Sequence, residues 1–552
     1  MAKMKVYQRL ASAFKAEGVT ATFGMMGDGN MYWIYEMNQL GVKVHEVRHE
    51  GAGLGMADGF ARVTHTPGVA TATCGPGVTQ LATALVTASR AGSPLVAFCG
   101  EAPIVDDEYA QYLDQARFAA ACESGFVRLV SPDLADDVVR KAFYLAKTES
   151  RPIMLSCPLD IQQKEFEDDD PYQPSSTLFT PGVVHPDPRA LERAADILAG
   201  SKKPVIIVGR GAQWAGAGPA VLKLGERIGA LIATTLLTKT FLNESEFHAG
   251  ISGLYGSRPA MQLFHEADCV IGVGASLNRH TLENGYLFPE ATYVQIDSKP
   301  HRMMGGGRAA DCYLQSDARI GVEELEKLLA SRRVKSTGYR TPDVKTQLVN
   351  HSADRTEFEM DPGTVDPRDA CIALDQIVPP EVGLLSGSGM TSAFASMLMM
   401  RRRGLVAGGH FFGCIGQMLP AAMGAVVAMG NKPAMLLDGD ASVMMHLAEF
   451  ETAVRYDMPL LVIVMNNEAL GAEYYKLDAH HMDVKGATIT TPDLGGVAVA
   501  MGGRGRMART IEQLKSAAAE FVAKPGPMMV DLRISRSVPS VPYRRMHYGR
   551  DE

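Results

Sequence analysis

Two apolar stretches of this 552-residue sequence decide its fold: AMLLDGD at residues 434–440 and PLLVIVMNN at residues 459–467. Each is a short apolar run that ends in polar residues, and the amphipathic stretch HLAEFETAVRYD at 446–457 lies between them. A strand, a helix and a second strand in this order are typical of a parallel sheet covered by helices. Both strands then end at the same edge of the sheet, so we expect Asp440 and Asn467 to lie side by side there.

This pair of polar side chains predicts a site for Mg²⁺ and a diphosphate. A carboxylate, an amide oxygen and a nearby backbone carbonyl form part of the six-oxygen shell that Mg²⁺ requires, and phosphates and water usually complete it. Taken alone, an Asp after a strand is typical of a helix cap, and Asn-Asn is typical of a turn. The combination of both with a strand–helix–strand unit between them favours the metal site.

Similar alternation of short apolar runs and helical patterns extends along nearly the whole chain. It predicts an α/β protein with three doubly wound parallel-sheet domains. Two stretches that are polar and contain several prolines, 164–188 and 335–367, interrupt the alternation and are predicted to be linkers. The predicted segments are 1–165, 189–334, 368–535 and a C-terminal tail at 536–552.

The composition excludes several classes of protein. Hydrophobic residues make up 46% of the chain and charged residues 21%, which is typical of a globular protein. A net charge of −8 gives no reason to expect nucleic acid as a partner. No apolar run reaches the roughly 20 residues of a membrane span, and no secretory signal is recognisable. The eight cysteines are scattered, as is typical of buried thiols. We therefore expect a large cytoplasmic enzyme or binding protein.

The sequence G-D-x-S at 439–442, followed by Asn-Asn, resembles the thiamine diphosphate (ThDP) motif of the acetolactate synthase and pyruvate decarboxylase superfamily. The resemblance covers essentially the whole chain and implies a pyrimidine-binding, a central and a diphosphate-binding domain, in that order. Ala441 departs from the pattern, since glycine is usual at this position. By resemblance, Asp440 and Asn467 bind Mg²⁺ through their side chains and Ala469 binds it through its backbone carbonyl.

Two glycine-rich segments are similar to cofactor-binding segments of the same superfamily. In GCIGQMLPAAMGA at 413–425, the resemblance implies that the carbonyl of Gly413 accepts from the aminopyrimidine and that Ile415 lies under the thiazolium ring. SGSGM at 386–390 is expected to wrap the diphosphate, because glycines allow backbone N–H groups to approach an anion closely. With Glu50, discussed next, the implied cofactor-binding residues are Gly413, Ile415, Ser386, Gly387, Ser388, Met390, Gly439, Ala441 and Ser442.

Glu50 lies where a strand meets a helix in KVHEVRHEGAGLGMADGFAR at 43–62. On its own it reads as a first-turn carboxylate favoured by the helix dipole. The family pattern R-H-E-x-x-A implies instead that Glu50 hydrogen-bonds the pyrimidine nitrogen of ThDP, where a carboxyl in an apolar pocket can share a proton. In this family the pyrimidine domain of one chain faces the diphosphate domain of another. The resemblance therefore implies at least a homodimer, and relatives are often homotetramers.

Four further residues are candidates for catalysis. Asp28, in FGMMGDGN at 23–30, matches a G-D-x-N whose Asp is catalytic in the pyruvate decarboxylase branch, and the alternative is an Asx-turn. Glu473 matches the position of that branch's catalytic glutamate, and the alternative is a solvated helix face. The branch's histidine pair is missing, although Gln115 is a candidate match to the pocket-lining Gln of the synthase branch. His480 either overhangs the site or caps its helix.

The central segment and the tail leave more open. KPVIIVGRGA at 203–212 is a strand and glycine-rich turn, but Trp214 stands where a dinucleotide motif has its third glycine. Relatives hold FAD or ADP in this domain or leave it empty. Asp297, at a strand end, could bind a ribose, yet the sequence favours the empty domain. The Arg-rich tail could be a lid that grips a carboxylate or a phosphate-bearing thioester, or a solvated segment.

The favoured function is a ThDP- and Mg²⁺-dependent lyase or carboligase. By resemblance it cleaves or forms a C–C bond next to the carbonyl of a 2-oxo acid or acyloin, through a carbanion–enamine. One alternative is a lyase for 2-hydroxyacyl- or oxalyl-CoA thioesters. Another is an FAD-containing acetolactate synthase, which the missing Trp after Asn-Asn disfavours. A non-catalytic binding subunit is disfavoured by the presence of Glu50, Asp440 and Asn467. The broken glycine motif at 209–216 disfavours an NAD-dependent dehydrogenase.

Overall fold

The computed structural model contains three six-stranded parallel sheets flanked by helices, as the sequence predicted. A short antiparallel pair adds to the first domain. None of the described helices is long and apolar enough to cross a membrane. The structure describes residues 4–106, 108–167, 170–178, 182–299, 303–349, 354, 356–409 and 411–549.

The first domain begins with the strand β1 (Met4–Lys5), which pairs with β8 (Glu165–Phe166). The other strands are β2 (Ala21–Gly24), β3 (Lys43–Glu46), β4 (Gly68–Ala72), β5 (Leu95–Glu101), β6 (Gly125–Arg128) and β7 (Pro152–Pro158). The helices are α1 (Val6–Ala16), α2 (Met31–Gln39), α3 (Glu50–Thr64), α4 (Pro76–Thr79), α5 (Ala82–Ala91), α6 (Gln115–Ala121), α7 (Ala135–Glu149) and α8 (Leu159–Gln162). The sheet has the order β3-β2-β4-β5-β7-β6, so β3 lies at its edge.

The central domain has a sheet of its own. Its strands are β9 (Pro204–Val208), β10 (Leu231–Thr234), β11 (His248–Ile251), β12 (Cys269–Val273), β13 (Thr292–Asp297) and β14 (Cys312–Gln315), in the order β11-β10-β9-β12-β13-β14. Its helices are α9 (Pro188–Gly200), α10 (Arg210–Trp214), α11 (Gly218–Ile228), α12 (Arg258–His265), α13 (Arg279–Leu282), α14 (Ala318–Ser331) and α15 (Pro342–Val349). The last of these helices lies inside the predicted second linker and packs through Val344 against the central core.

The third domain carries the stretch from which the sequence argument began. Its strands are β15 (Gly383–Ser386), β16 (Val406–Gly408), β17 (Ala434–Gly439), β18 (Leu460–Asn466), β19 (Arg504–Ala508) and β20 (Met528–Arg533), in the order β16-β15-β17-β18-β20-β19. Its helices are α16 (Pro367–Ile377), α17 (Met390–Leu398), α18 (Met418–Ala428), α19 (Asp440–Met445), α20 (Glu449–Arg455), α21 (Gly471–Ala479), α22 (Leu494–Ala500), α23 (Ile511–Ala523) and α24 (Val541–Tyr543). Strands β17 and β18 are parallel neighbours, as predicted. All three sheets lie within the predicted segments, whose boundaries stay predictions.

Helices α3 and α18 join the first and third domains through a backbone contact. A Cβ atom at Gly59 would lie 1.9 Å from the carbonyl oxygen of Ala421, and one at Gly424 would lie 1.8 Å from the carbonyl oxygen of Met56. Only glycine can stand at these two positions, because any side chain would push the helices apart. The contact fixes the helix that begins with Glu50 against the helix that follows the 413–417 segment.

The central domain is tied to the third domain by a buried ammonium group. Lys239 Nζ donates to the carbonyl oxygens of Ala395, Ser396 and Met399, at distances of 2.5, 3.3 and 3.0 Å. These carbonyls belong to the C-terminal end of α17, where helix carbonyls lack partners and a cation is favourable. Burial lowers the pKa of Lys239 to about 7. This lysine therefore anchors α17 from its C-terminal end.

The tail is packed against the protein as far as residue 549, and residues 550–552 lie outside the described residues. Tyr475 Oη donates to the carbonyl oxygens of Arg536 and Val538, at 2.8 and 3.1 Å. Arg544 is buried and pairs with Asp354. The alternative of a solvated tail is therefore wrong at Arg544, because this side chain is buried in an internal ion pair.

We expect Gly424→Ala to destabilise the protein by about 1–3 kcal/mol, because the new methyl group would overlap the carbonyl of Met56. Calorimetric Tm values of the two proteins measure this effect. Gly200→Ala is the matched control, since nothing lies within 4 Å of a Cβ atom built there, at the end of α9. Equal Tm values for Gly424→Ala and Gly200→Ala would contradict the close helix contact.

Candidate active site

The structure brings Asp440 and Asn467 to the same edge of the third sheet. Asp440 is the first residue of α19, directly after β17, and Asn467 directly follows β18. Asp440 is 1% exposed, and its Oδ2 atom has no hydrogen-bond partner among the described residues. Asn467 Oδ1 accepts from the backbone N–H of Ala469 at 3.2 Å. The three predicted metal ligands therefore lie on two adjoining loops.

The electrostatics of this edge favour a cation. Burial, helped by the nearby carboxylates of Asp531 and Glu468, raises the pKa of Asp440 to about 7. Arg533 pairs with both of these neighbours, at 2.9 and 2.8 Å, whereas no ion pair of the described residues includes Asp440. Asp438, two residues earlier in β17, is also buried and has a pKa raised to about 7 by burial. A divalent cation beside Asp440 would compensate this excess of carboxylates.

Asn466 holds the loop that carries the second ligand. Its Nδ2 atom donates to Asp531 Oδ1 at 2.9 Å and to Thr491 Oγ1 at 2.8 Å, and its Oδ1 atom accepts from the N–H of Glu468 at 3.1 Å. Glu468 has a φ of 52°, a strained left-handed conformation that this network stabilises. Sequence reasoning identified Asn467 but missed its neighbour. The Asn-Asn pair in the sequence could have indicated that Asn466 also has a role in the loop.

The start of α17 forms a candidate anion site beside Asp440. Gly389 precedes the helix with a φ of 81°, and a Cβ atom at Gly387 would lie 1.9 Å from Asp438 Oδ1. Thr391, in the first turn, is 6% exposed, and its Oγ1 atom has no hydrogen-bond partner among the described residues. A Cβ atom at Gly439 would lie 3.9 Å from that oxygen. Helix N–H groups and an unpartnered hydroxyl thus lie next to the unpartnered carboxylate, as a phosphate with its metal requires.

The other residues of the 386–390 segment differ in how their side chains are used. Ser388 Oγ donates to the carbonyl oxygen of Gly409 at 2.6 Å, so this hydroxyl stabilises the segment itself. Ser386 is the last residue of β15 and is buried. Met390 contacts Gly471, since a Cβ atom built on Gly471 would lie 3.2 Å from the Cε atom of Met390. The segment therefore reaches the loop after β18.

Ser442 links the 413–417 segment to the carboxylate of Asp438. The N–H of Gly416 donates to Ser442 Oγ at 2.8 Å, and that hydroxyl donates to Asp438 Oδ2 at 2.7 Å. Gly413 has a φ of 72° and is exposed, whereas Ile415 is half-buried. Ala441 is also half-buried, which leaves room for the methyl group that replaces the usual hydrogen.

Glu50 is the first residue of α3 and lies among residues of the first domain. A Cβ atom at Gly77 would lie 3.2 Å from Glu50 Oε1, so glycine is needed beside the carboxylate. The N-cap residue His49 accepts the N–H of Gly51 through Nδ1 at 3.0 Å. No hydrogen bond or ion pair of the described residues joins Glu50 to Asp440. Within the described part of one chain, the Glu50 region of the predicted site is therefore not joined by such a bond to the Asp440 region.

Asp28 and Gln115 lie in one region of the first domain. Asp28 is exposed in the loop after β2, and the buried side chain of Asn30 makes the hydrogen bonds that hold this loop. The hydrogen bonds that hold the loop therefore come from Asn30, and the catalytic role of Asp28 stays a prediction. Gln115 is buried and its Nε2 atom donates to the carbonyl of Gly100 at 2.6 Å. A Cβ atom at Gly100 would lie 2.4 Å from the Cα atom of Gly29, so Gln115 lies directly behind the loop.

Glu473 and His480 lie on α21 and at its C-terminal end. Both are exposed, and Glu473 lies 3.8 Å from Lys476 in an ion pair of the solvated helix face. His480 is the C-cap residue of the helix. Within the described part of one chain, no hydrogen bond or ion pair links either residue to Asp440 or Glu50.

The glycine-rich turn of the central domain is explained by protein contacts. A Cβ atom at Gly209 would lie 2.3 Å from the carbonyl oxygen of Gly274, and one at Gly211 would lie 2.9 Å from its Cα atom. These glycines are therefore required by the neighbouring turn, whether or not a phosphate binds. Asp297 Oδ1 accepts from the N–H of Lys299 at 3.0 Å. The side chain proposed for a ribose thus caps its own turn.

Three family models match successive parts of the chain. They are described as thiamine pyrophosphate enzyme, N-terminal TPP binding domain (residues 4–119), central domain (residues 191–325) and C-terminal TPP binding domain (residues 387–532). Their order is the order that the sequence resemblance implied. Thiamine pyrophosphate is the same compound as ThDP.

Several relatives match almost the full length of the chain. A probable acetolactate synthase large subunit of Methanocaldococcus jannaschii is 27% identical over 98% of this chain and 94% of its own. The acetolactate synthase large subunit of Parasynechococcus marenigrum is 28% identical over 96% of this chain and 87% of its own. The sulfoacetaldehyde acetyltransferase of Rhodobacter capsulatus is 28% identical over 94% of this chain and 92% of its own. The chain therefore belongs to the ThDP-dependent enzymes of the acetolactate synthase and pyruvate decarboxylase type, and it is an enzyme of the transferase or carboligase class.

Proposed function

We propose that the protein is a ThDP- and Mg²⁺-dependent enzyme that cleaves or forms a C–C bond next to the carbonyl of a 2-oxo acid or acyloin. One observation carries the proposal. Asp440 Oδ2 and Thr391 Oγ1 are buried polar atoms without partners in the described chain, on adjoining elements of one sheet edge. A carboxylate next to a helix N-terminus suits a metal ion and a diphosphate bound together.

The residues around this edge have distinct proposed tasks. Asp440 and Asn467 hold Mg²⁺ through side-chain oxygens, and Ala469 holds it through its carbonyl. The 386–390 segment and the backbone at 439–442 bind the diphosphate through N–H groups, with Thr391 as an added donor. Bound ThDP supplies a carbon nucleophile and an electron sink for the bond cleavage.

The remaining candidates handle protons or orient the ring system. Glu50 holds a proton at the pyrimidine nitrogen, the carbonyl of Gly413 accepts from the amino group, and Ile415 packs under the thiazolium ring. Asp28 and Gln115, which lie in one region, are proposed to face the substrate. Glu473 and His480 are proposed to transfer protons from the other side of the pocket.

Two chains are proposed to share each site. Glu50 has no hydrogen bond or ion pair to Asp440 within the described part of one chain, although both are assigned to one cofactor. A homodimer in which the first domain faces the partner's third domain would bring them together, and a homotetramer would contain two such pairs. The central domain is proposed to be empty of FAD or ADP, since its glycine turn is filled by the backbone at Gly274.

The alternative CoA-thioester lyase is less well supported. It would use tail arginines to grip phosphates, but Arg544 pairs with Asp354 and Arg545 Nη1 donates to the carbonyls of Leu254 and Gly256, at 2.9 and 2.8 Å. A transferase is better supported, because the relatives are named as acetolactate synthases and an acetyltransferase. The second substrate of such a transfer would be an aldehyde, a 2-oxo acid or a similar carbonyl acceptor.

We expect the purified protein with ThDP and Mg²⁺ to release CO₂ from at least one member of a panel of 2-oxo acids, and to form a C–C ligated product when an acceptor is added. Glu50→Gln should lower the rate by about 10²–10⁴-fold, because the pyrimidine loses its proton-sharing partner. Glu46→Gln, an exposed glutamate four residues earlier, is the matched control. Absence of CO₂ and of ligated product, in a protein that binds ThDP, would contradict the proposal. Sulfoacetaldehyde, an aldehyde without a carboxylate, should be tested beside the panel as a separate substrate, since one relative is named for it.

Mg²⁺ should raise the Tm of the ThDP-saturated protein more strongly at pH 8 than at pH 6. The pKa of Asp440, about 7, lies above its ordinary value of 3.8, so its contribution to metal-free stability is full below pH 3.8 and is lost as pH rises through 7. The charged carboxylate that then forms is the species that binds metal, so the Mg²⁺ affinity should be about tenfold higher at pH 8.

Asp440→Asn should abolish the Mg²⁺-dependent rise in Tm and its pH dependence. Asp457→Asn changes an exposed aspartate after α20 and should leave both intact. A Mg²⁺ effect of equal size in Asp440→Asn would exclude this aspartate as a ligand.

A further inference from the structure

The turn that leads into Glu50 is held by the third domain. The strand β3 lies at the edge of the first sheet, so one of its two sides is not paired with a strand of the described chain. Side chains at or just after α20 of the third domain contact the end of β3. The N–H of Glu46 donates to Tyr456 Oη at 2.8 Å, and Arg455 Nη2 donates to the carbonyl of Glu46 at 2.7 Å. The N–H of Arg48 donates to Glu449 Oε1 at 2.9 Å. Three side chains at or just after α20 therefore bind the backbone at 46–48.

Glu449 is the buried member of this group. It is 1% exposed, and its Oε2 atom accepts from Thr452 Oγ1 at 2.8 Å. Burial raises its pKa, and hydrogen bonds from Thr452 and from the backbone N–H of Arg48 act in the opposite direction. No ion pair of the described residues includes it, since the side chain of Arg48 pairs with Glu451 at 2.7 Å. The buried carboxylate thus accepts one hydrogen bond from the backbone N–H of Arg48 and one from the Thr452 hydroxyl, and the first of these fixes the backbone before α3.

These backbone groups lie at the start of the helix that carries Glu50. His49 is the N-cap residue of α3 and Glu50 is its first residue. The N–H groups around a helix start have no partners within the helix, so an external acceptor decides their direction. Glu449 supplies this acceptor from another domain. A shift of the 48–49 peptide would turn the Cα–Cβ bond of Glu50.

The same acceptor is close in sequence to the proposed metal ligand. The helix α19 begins at Asp440 and ends at its C-cap residue His446, whose ring lies 5.2 Å from that of His49, edge to face. The N–H of Glu449 donates to the carbonyl of His446 at 2.9 Å. His446 therefore connects α19, which begins at Asp440, to both His49 and Glu449.

We infer that Glu449 is a positioning residue for Glu50, and that it sets the direction of the Glu50 carboxylate by fixing the N–H group of Arg48, two residues before Glu50. The inference rests on the proposed function, in which Glu50 binds the pyrimidine of the cofactor. Glu449, a side chain of the third domain, would thus orient Glu50 in the first domain. A purely structural glutamate would stabilise the interface without acting through Glu50.

Amide hydrogen exchange of the full, cofactor-free chain tests the contact itself. In Glu449→Ala, the segment 43–54 should exchange faster at the amide of Arg48, because its acceptor is gone. Glu449→Gln keeps one acceptor oxygen and should give intermediate exchange, and it serves also if the Ala variant does not fold. Glu451→Ala removes only the side-chain partner of Arg48 and should exchange like the wild type. Wild-type exchange in Glu449→Ala would overturn the inference.

Turnover of the holoenzyme tests the link to Glu50. We expect Glu449→Ala to lower kcat for the best 2-oxo acid by about tenfold or more, with KM and the Mg²⁺–ThDP-dependent Tm shift unchanged, and Glu449→Gln to restore most of the rate. In a Glu50→Gln background, Glu449→Ala should cause no further loss. A further loss of the same size would show that Glu449 acts independently of Glu50 and would overturn the inference. Full activity of Glu50→Gln alone would instead overturn the proposed function, while the exchange result would still report the contact.

Discussion

The edge of the third sheet is built around a buried carboxylate oxygen, Oδ2 of Asp440, that has no hydrogen-bond partner among the described residues. Taking the charge of Asp440 out of water is unfavourable, and the neighbouring acids Asp531 and Glu468 make it more so. Arg533 pairs with these two neighbours, whereas no ion pair of the described residues includes Asp440. The proposed metal ion would be bound tightly only where its oxygen ligands are already in place, and the hydrogen bonds of Asn466 hold the loop that carries one of them.

The local part of this arrangement could be predicted from the sequence. The apolar runs before Asp440 and Asn467 predict two strands, and the rule that parallel strands end at one edge brings the two residues together. The glycines at 387 and 389 are recognisable for a similar reason, since a tight approach and a positive φ leave few other choices. The family resemblance added the identity of the cofactor, which spacing alone could not supply.

Contacts between distant parts of the chain could not be predicted. Arg48 and Glu449 are 401 positions apart, and a glutamate in an amphipathic pattern normally indicates a solvated helix face. Lys239 is likewise ordinary in sequence, although it is buried against the end of α17. The sequence predicts that the tail arginines form a lid or a solvated segment. Arg544 is instead buried, because it pairs with Asp354, which lies far upstream in the chain. Each of these depends on how domains pack, which no local pattern of residue types encodes.

The glycine contact between α3 and α18 also has a consequence for biosynthesis. Gly59 and Gly424 belong to one interface, but roughly 20 to 70 s of translation separate them at typical rates. During that interval the nascent first domain has an apolar helix face, including Gly55 and Gly59, that its final neighbour does not yet cover. A ribosome-associated chaperone that shields apolar helices would act in this window, and slow codons placed between the two helices would lengthen it. Gene fragments that encode the first domain alone should therefore yield aggregates more readily than the complete gene.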